Sequence, residues 1–180
     1  MKRKVLAVMI AVTLSLSIMA CGGGDNPEDH LFDELEKPTE SGGNNNGKDL
    51  GGTMVDQTQE SGDFTVTVKS IVKSNGSGAF KPTAGNVFVF IKVIVKNNSR
   101  EEKAVSSLLY FDAYADGEQA AFSLNAGSAL YDMKGQSIDG DVAAGGTYEG
   151  YYYLEAPAST KTIELTFNTG LFDDLEKVRS

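Results

Sequence analysis

From Gly62 onward the apolar residues of this chain recur at every second position, and that period most constrains what the chain can fold into. Phe64, Val66 and Val68 alternate with Thr65, Thr67 and Lys69. Val87, Val89, Ile91, Val93 and Val95 line one face of a long strand whose other face carries Phe88, Phe90, Lys92, Ile94 and Lys96. Successive side chains of a strand point to opposite faces, so a period of two marks a sheet packed on at least one side. Residues 105–114 form a third apolar run, ended by the turn pair Asp116-Gly117. Residues 120–124 and 129–133 are weaker strand candidates. Residues 147–155 follow Ala144-Gly145-Gly146, and Ile163, Leu165 and Phe167 alternate in the last strand. Pro82, Pro157 and the glycine clusters fall between the runs, where strand ends are expected. About seven strands and no long amphipathic helix predict an all-β, antiparallel sandwich over residues 62–180, a length that can bury one core. Periodicity alone does not separate a sandwich from a barrel.

The first 21 residues carry a different pattern. Lys2-Arg3-Lys4 is a positive start, residues 5–18 are apolar apart from Thr13, Ser15 and Ser17, and Ile18-Met19-Ala20-Cys21 follows. The apolar run is shorter than the roughly 20 residues of a membrane span, which favours a secretion leader over a retained helix. The segment resembles the bacterial lipobox. That resemblance implies cleavage between Ala20 and Cys21, a diacylglyceryl group on the Cys21 thiol, and anchoring at the outer face of the cell membrane. Two acyl chains anchor stably where one does not, at about 0.8 kcal/mol per buried methylene. An ordinary leader with a chance cysteine is the competing reading. The expected organisation is a leader over residues 1–20, a tether over 21–61 and a domain over 62–180.

The tether is expected from composition. Residues 22–61 hold eight glycines, four asparagines and twelve charged residues, and Gly42-Gly43-Asn44-Asn45-Asn46-Gly47 is unsuited to regular structure. Forty such residues would reach about 35 Å as a coil. The whole chain has a formal net charge of −9. Without Lys2, Arg3 and Lys4 it is −12, of which the tether holds −8 and the domain −4. Nucleic acid is therefore not an expected partner, since phosphate binding needs a basic surface. Within the tether, Leu31-Phe32-Asp33-Glu34-Leu35-Glu36-Lys37 recurs as Leu171-Phe172-Asp173-Asp174-Leu175-Glu176-Lys177, identical at six of seven positions. It reads either as a duplicated docking motif or as two similar acidic helical turns.

The inventory of reactive groups is short. Cys21 is the one cysteine and His30 the one histidine, and both precede the domain. Ser-His-Asp, Cys-His and HExxH arrangements are thereby removed, and no spacing singles out a carboxylate pair. No catalytic residue, cofactor or metal is assigned, and the chain is expected not to be an enzyme. Two constellations remain. Asp139-Gly140-Asp141, with Asp112, Asp116 or Glu118, reads as an acidic calcium loop or as an Asp/Gly turn. Among Tyr148, Tyr151, Tyr152 and Tyr153, alternation sends Tyr148 and Tyr152 to the core face. It sends Tyr151 and Tyr153 to the other, as an exposed ligand-facing pair or as cross-strand packing.

Two stretches carry a family resemblance. They are Lys81-Pro82-Thr83-Ala84-Gly85-Asn86 with the long strand ending at Asn97-Asn98, and Ala144-Gly145-Gly146-Thr147 leading through Gly150-Tyr151-Tyr152-Tyr153-Leu154-Glu155-Ala156-Pro157. Both resemble the telokin-like, immunoglobulin-like domain of many Gram-positive lipoproteins, known only as a domain of unknown function. It is similar in fold to the mycobacterial immunoprotective extracellular antigen. Leu154 stands where that family usually has Phe. The resemblance implies an immunoglobulin-like β-sandwich outside the cell and no catalytic residues. Together these readings point to a lipid-anchored, non-catalytic interaction module facing an envelope protein or wall polymer. Its alternatives are an accessory envelope lipoprotein without a ligand and a carboxylate-based hydrolase. Asn97-Asn98 after the long strand suits a turn, since Asn tolerates left-handed φ and bonds its own backbone.

Overall fold

The structure, a computed structural model, describes residues 8–13, 47–120 and 122–169. It is an antiparallel β-sandwich. One sheet runs β2 (Thr53–Ser61), β3 (Phe64–Ser74), β4 (Asn86–Asn97) and β9 (Thr147–Pro157) in that spatial order. The facing sheet runs β1 (Val8–Thr13), β10 (Thr162–Phe167), β6 (Phe111–Ala115) and β7 (Glu118–Gln119). A short ladder of β5 (Lys103–Val105) with β8 (Gly140–Val142) closes one end. Two helices, α1 (Ser107–Tyr110) and α2 (Leu124–Asp132), complete the described elements.

The main core follows from the alternation. Val87, Val89, Ile91, Val93 and Val95 of β4 meet Phe64, Val66 and Val68 of β3, Tyr152 and Leu154 of β9, and Ile163, Leu165 and Phe167 of β10. Phe167 is the aromatic hub, with ring centroids 4.8 Å from Phe111 and 5.8 Å from Phe64. In β3 the parity changes at a bulge between Val68 and Ser70. The extra residue returns Ile71, not Ser70, to the core row.

The outer face of β4 is also covered. Phe88 and Phe90 are fully buried with Ala126, Ala129, Leu130 and Tyr151 in a second apolar cluster. Helix α2 forms its lid. Ser123 caps it, its Oγ accepting from the Ala126 amide at 3.2 Å, and Ala126, Ala129 and Leu130 lie on one helical face. This corrects the expectation of strands over 120–124 and 129–133. The run 105–114, expected as one strand, is likewise divided among the end of β5, α1 and most of β6.

The boundary between tether and domain moves as well. Residues 53–61, placed in the tether by composition, form edge strand β2, paired with β3. Its side chains are mostly exposed, so it carries no alternating apolar signal. The chain packs from Gly47 onward: the Lys48 amide donates to the Lys134 carbonyl at 2.6 Å, and Leu50 rests against the second cluster.

Asn97 secures the end of β4. It is fully buried, and its Nδ2 donates to the carbonyls of Glu101 (2.7 Å), Val142 (2.9 Å) and Ala143 (3.2 Å). Its Oδ1 accepts from the amide and hydroxyl of Ser99. Neither Asn97 nor Asn98 has a positive φ; the chain end is held by these side-chain bonds together with backbone bonds from the Asn97 amide to the Gly146 carbonyl and from the Asn98 amide to the Asp63 carbonyl. Asn97→Ala is expected to cost about 2–4 kcal/mol, because each buried group left without a partner costs about 1–3 kcal/mol. Asn97→Asp is expected to cost more near neutral pH, since it points a carboxylate at three carbonyl oxygens. That excess should shrink in acid, because a carboxyl whose folded pKa is raised regains stability as it protonates. Urea denaturation of the three proteins at two pH values checks the order; equal stabilities would show that Asn97 is not a buried staple.

Candidate functional site

The site is built where the chain leaves the facing sheet to cover the outer face of β4. At the tip of the β6–β7 hairpin, Asp116 and Gly117 both adopt positive φ (51° and 83°), the conformation a two-residue turn between twisted strands requires. The Asp116 carboxylate accepts from the amides of Lys161 and Thr162, fixing the hairpin to β10. Strand β7 ends after two residues, and Phe122 then bridges to Leu154 of β9. The two sheets are joined at that bridge.

Beside it lies a cleft of about 300 Å³. Phe111, Phe122 and Tyr152 supply its aromatic walls, and Ser107, Asp112 and Gln119 its polar groups. Leu108 lines the rim and is 67% exposed. Burial, then the nearby charge of Asp112, raises the Tyr152 phenol to about 12, so it stays protonated at physiological pH. Asp139 orders the rim. Its carboxylate accepts from the Ser107 amide (2.6 Å), the Ser107 hydroxyl (3.0 Å) and the Ser137 hydroxyl, which holds the first residue of α1 and leaves Leu108 and Leu109 facing solvent. The cleft can therefore hold an apolar group between rings with a few hydrogen bonds at its edge.

The residues singled out from sequence fall elsewhere. Tyr151 is 3% exposed, so it is not half of an exposed aromatic pair. Its hydroxyl accepts from the Leu50 amide at 2.8 Å and donates to Asp49 Oδ1 at 3.2 Å. Tyr153 is half-buried, with its ring 4.8 Å from that of Phe122. Alternation placed both on the correct face; the second apolar cluster beneath α2 and Leu50 is what removes them from solvent. Asp139 serves Ser107 and Ser137 and Asp116 serves a backbone turn, while Asp141 is exposed. Among the described residues no group of three or more metal-ligating side chains is brought together. Ala20, Cys21, His30 and the repeats at 31–37 and 171–177 lie outside the described residues. Leu108, Phe122 and Gln119 were not singled out from sequence. The adjacent leucines Leu108-Leu109, which break the alternation, were the available signal.

A second polar cluster holds the start of the domain. Lys92 Nζ lies 2.9 Å from both Asp49 Oδ2 and Glu149 Oε1. Partial burial works against the charged ammonium, but the bonds and charges of Glu149 and Asp49 outweigh it and raise Lys92 above its usual value. The hydrogen bond from Lys92, followed by that from the Gly51 amide, holds the Asp49 carboxyl below its usual value.

Among known proteins, the family profile for a domain of unknown function, DUF4352, matches residues 53–177. The chain belongs to the DUF4352 family. The DUF4352 match begins at the first residue of β2, in agreement with the strand pairing that assigns β2 to the domain. Three solved structures are similar. A conserved hypothetical protein of Bacillus anthracis aligns at a TM-score of 0.51 with 19% identity, over 66% of this chain and 91% of that one, and shares the fold. The ycdA protein of Bacillus subtilis, described as a candidate lipoprotein, aligns at 0.48 with 15% identity, over 68% of this chain and 42% of its own. An uncharacterised β-sandwich protein of Clostridium difficile aligns at 0.43 with 17% identity, over 68% and 91%. None of the curated proteins matches the chain.

The lowered Asp49 pKa has a pH consequence. Its contribution to docking residues 47–50 is complete above the ordinary carboxylate range and is lost as pH falls through that range and below it. Exchange protection of the Leu50 amide, which donates to Tyr151, is expected to be lost in acid and also at neutral pH in Asp49→Asn. Protection that persists in both would show that Asp49 does not latch this segment.

Proposed function

We propose that this DUF4352 protein is a lipid-anchored extracellular protein whose sandwich is a non-catalytic interaction module, with its ligand held in the cleft of Phe111, Phe122 and Tyr152. The cleft carries this reading: three rings and a polar rim open beside an exposed leucine, on a scaffold fixed by long antiparallel ladders. The carboxylates around it support a binding role. Asp116, Asp139 and Glu155 accept hydrogen bonds from backbone or side-chain donors, and Asp112 is the one carboxylate among the described residues lining the cleft. The leader pattern ending at Ala20-Cys21 supports anchoring through a lipid on Cys21, with the domain at the outer face of the membrane.

Two measurements test the two halves. Cys21→Ser is expected to abolish lipid labelling and release the protein to the medium; membrane retention of that variant would overturn the anchor. For the cleft, purified wall-polymer fragments and extended peptides are titrated against the isotopically labelled mature chain. Saturable shifts of Phe111, Phe122 and Tyr152 resonances are expected with one class, and Leu108→Glu at the exposed rim should weaken them about tenfold, or about 1.4 kcal/mol. If neither class perturbs the cleft, the domain is an accessory one without a ligand in this site.

A further inference from the structure

The outer edge of β10 has a distinctive neighbour. Val8–Thr13, inside the apolar run read as a leader, pairs with it in six unbroken antiparallel registers, from Val8 opposite Phe167 to Thr13 opposite Thr162. Val8, Ile10 and Val12 thereby stand opposite Phe167, Leu165 and Ile163, the core-facing row of β10. Among the described residues, no other segment pairs with this edge.

The other edges carry devices that discourage strand addition. In β2 the register slips between Met54 and Gln57, where Asp56 has a φ of 53° and pairs with Lys69. Strand β7 is two residues long. The free side of β9 is covered by the 136–138 segment, which exchanges backbone hydrogen bonds with Tyr151, and by the bridge from Phe122 to Leu154. Strand β10 has six residues, no proline and no bulge, and its one charge, Glu164, lies in the row facing away from the core.

We propose that the β10 edge is a strand-acceptor site: once the leader is removed ahead of Cys21, it takes an extended segment of another polypeptide in antiparallel pairing. The partner segment carries an aliphatic residue at every second position, to meet Ile163, Leu165 and Phe167, and a basic residue opposite Glu164. The seated leader strand argues for this occupant. Its register places the sequence positions Val8, Ile10 and Val12 opposite the core row of β10, and Ala11 opposite Glu164. Main-chain bonds give such a site its affinity and the alternate side chains its selectivity. The proposal rests on the leader reading but not on the cleft.

The experiment uses the mature chain, residues 21–180, and synthetic peptides of residues 4–14. The plain peptide is expected to bind saturably by fluorescence anisotropy, and an Ala11→Lys peptide several-fold more tightly. Two further peptides are N-methylated at alternate amides, one at odd and one at even positions. The set whose amides face β10 should lose about tenfold in affinity and the other set little. No binding of the plain peptide, or equal binding of both methylated sets, overturns the proposal. A mature chain that sediments as a dimer undisturbed by peptide overturns it in favour of a second copy as occupant. Intact mass of the cellular protein tests the leader separately: retention of residues 1–20 means that the edge never opens, and the proposal falls with that reading.

Discussion

Over Val87–Ile91, strand β4 has no solvent face: each of these five residues is buried, and Phe88, Val89 and Phe90 are fully so. A two-sheet sandwich covers only one face of a central strand, so the other face needs a lid. Helix α2 and Leu50 provide it. To reach that position the chain must leave the facing sheet after β7, pass the open side of the sandwich at Phe122 and cap a helix at Ser123. The cleft lies along that crossing. Burying Phe88 and Phe90 thus determines both the second apolar cluster and the place where the main core is accessible from outside.

The acids within the fold are used mainly as acceptors. Asp116 ties a hairpin to β10, Asp139 orders α1, and Glu155 receives the Thr83 amide and Asn86 Nδ2. Asp49 and Glu149 share Lys92. Most of these bonds join segments far apart in sequence, so the acidic residues brace loops that the apolar core does not reach. That distribution suits a rigid scaffold presenting a surface.

Alternation made β3, β4, β9 and β10 legible because each has a row of core residues at alternate positions, in β3 as far as the bulge after Val68. It could not disclose β2, whose side chains are mostly exposed and whose stability comes from backbone pairing with β3. It also missed α2, a helix of nine residues whose buried face is Ala126, Ala129 and Leu130, too short and too rich in small residues to impose a visible helical period. The two readings of Tyr151 and Tyr153, exposed pair or packing, stayed open for the same reason. Their face was readable from parity, but whether the face meets water depends on helix α2, which ends 19 residues before Tyr151. The cleft was equally hidden, since Phe111 and Tyr152 belong to different sheets and meet only through the sandwich packing, at 5.7 Å between ring centroids.

The two long sides of the sandwich are finished by different physical means. On the side of β7 and β9, the bridge from Phe122 and the backbone bonds of residues 136–138 close the sheets locally. These bonds join residues within the domain and involve none of residues 8–13. On the side of β2 and β10, closure depends on strand β1, which pairs with β10 and belongs to the segment read as a leader. Edge strands normally carry a bulge, a charge or a proline because open backbone groups recruit other chains. β2 has such protection and β10 has little, although the two edges lie on the same side. The asymmetry is hard to explain by folding needs alone, since a bulge in β10 would cost little at an edge. It is the arrangement expected where one edge is kept regular for pairing and its neighbour is kept from competing for the same strand.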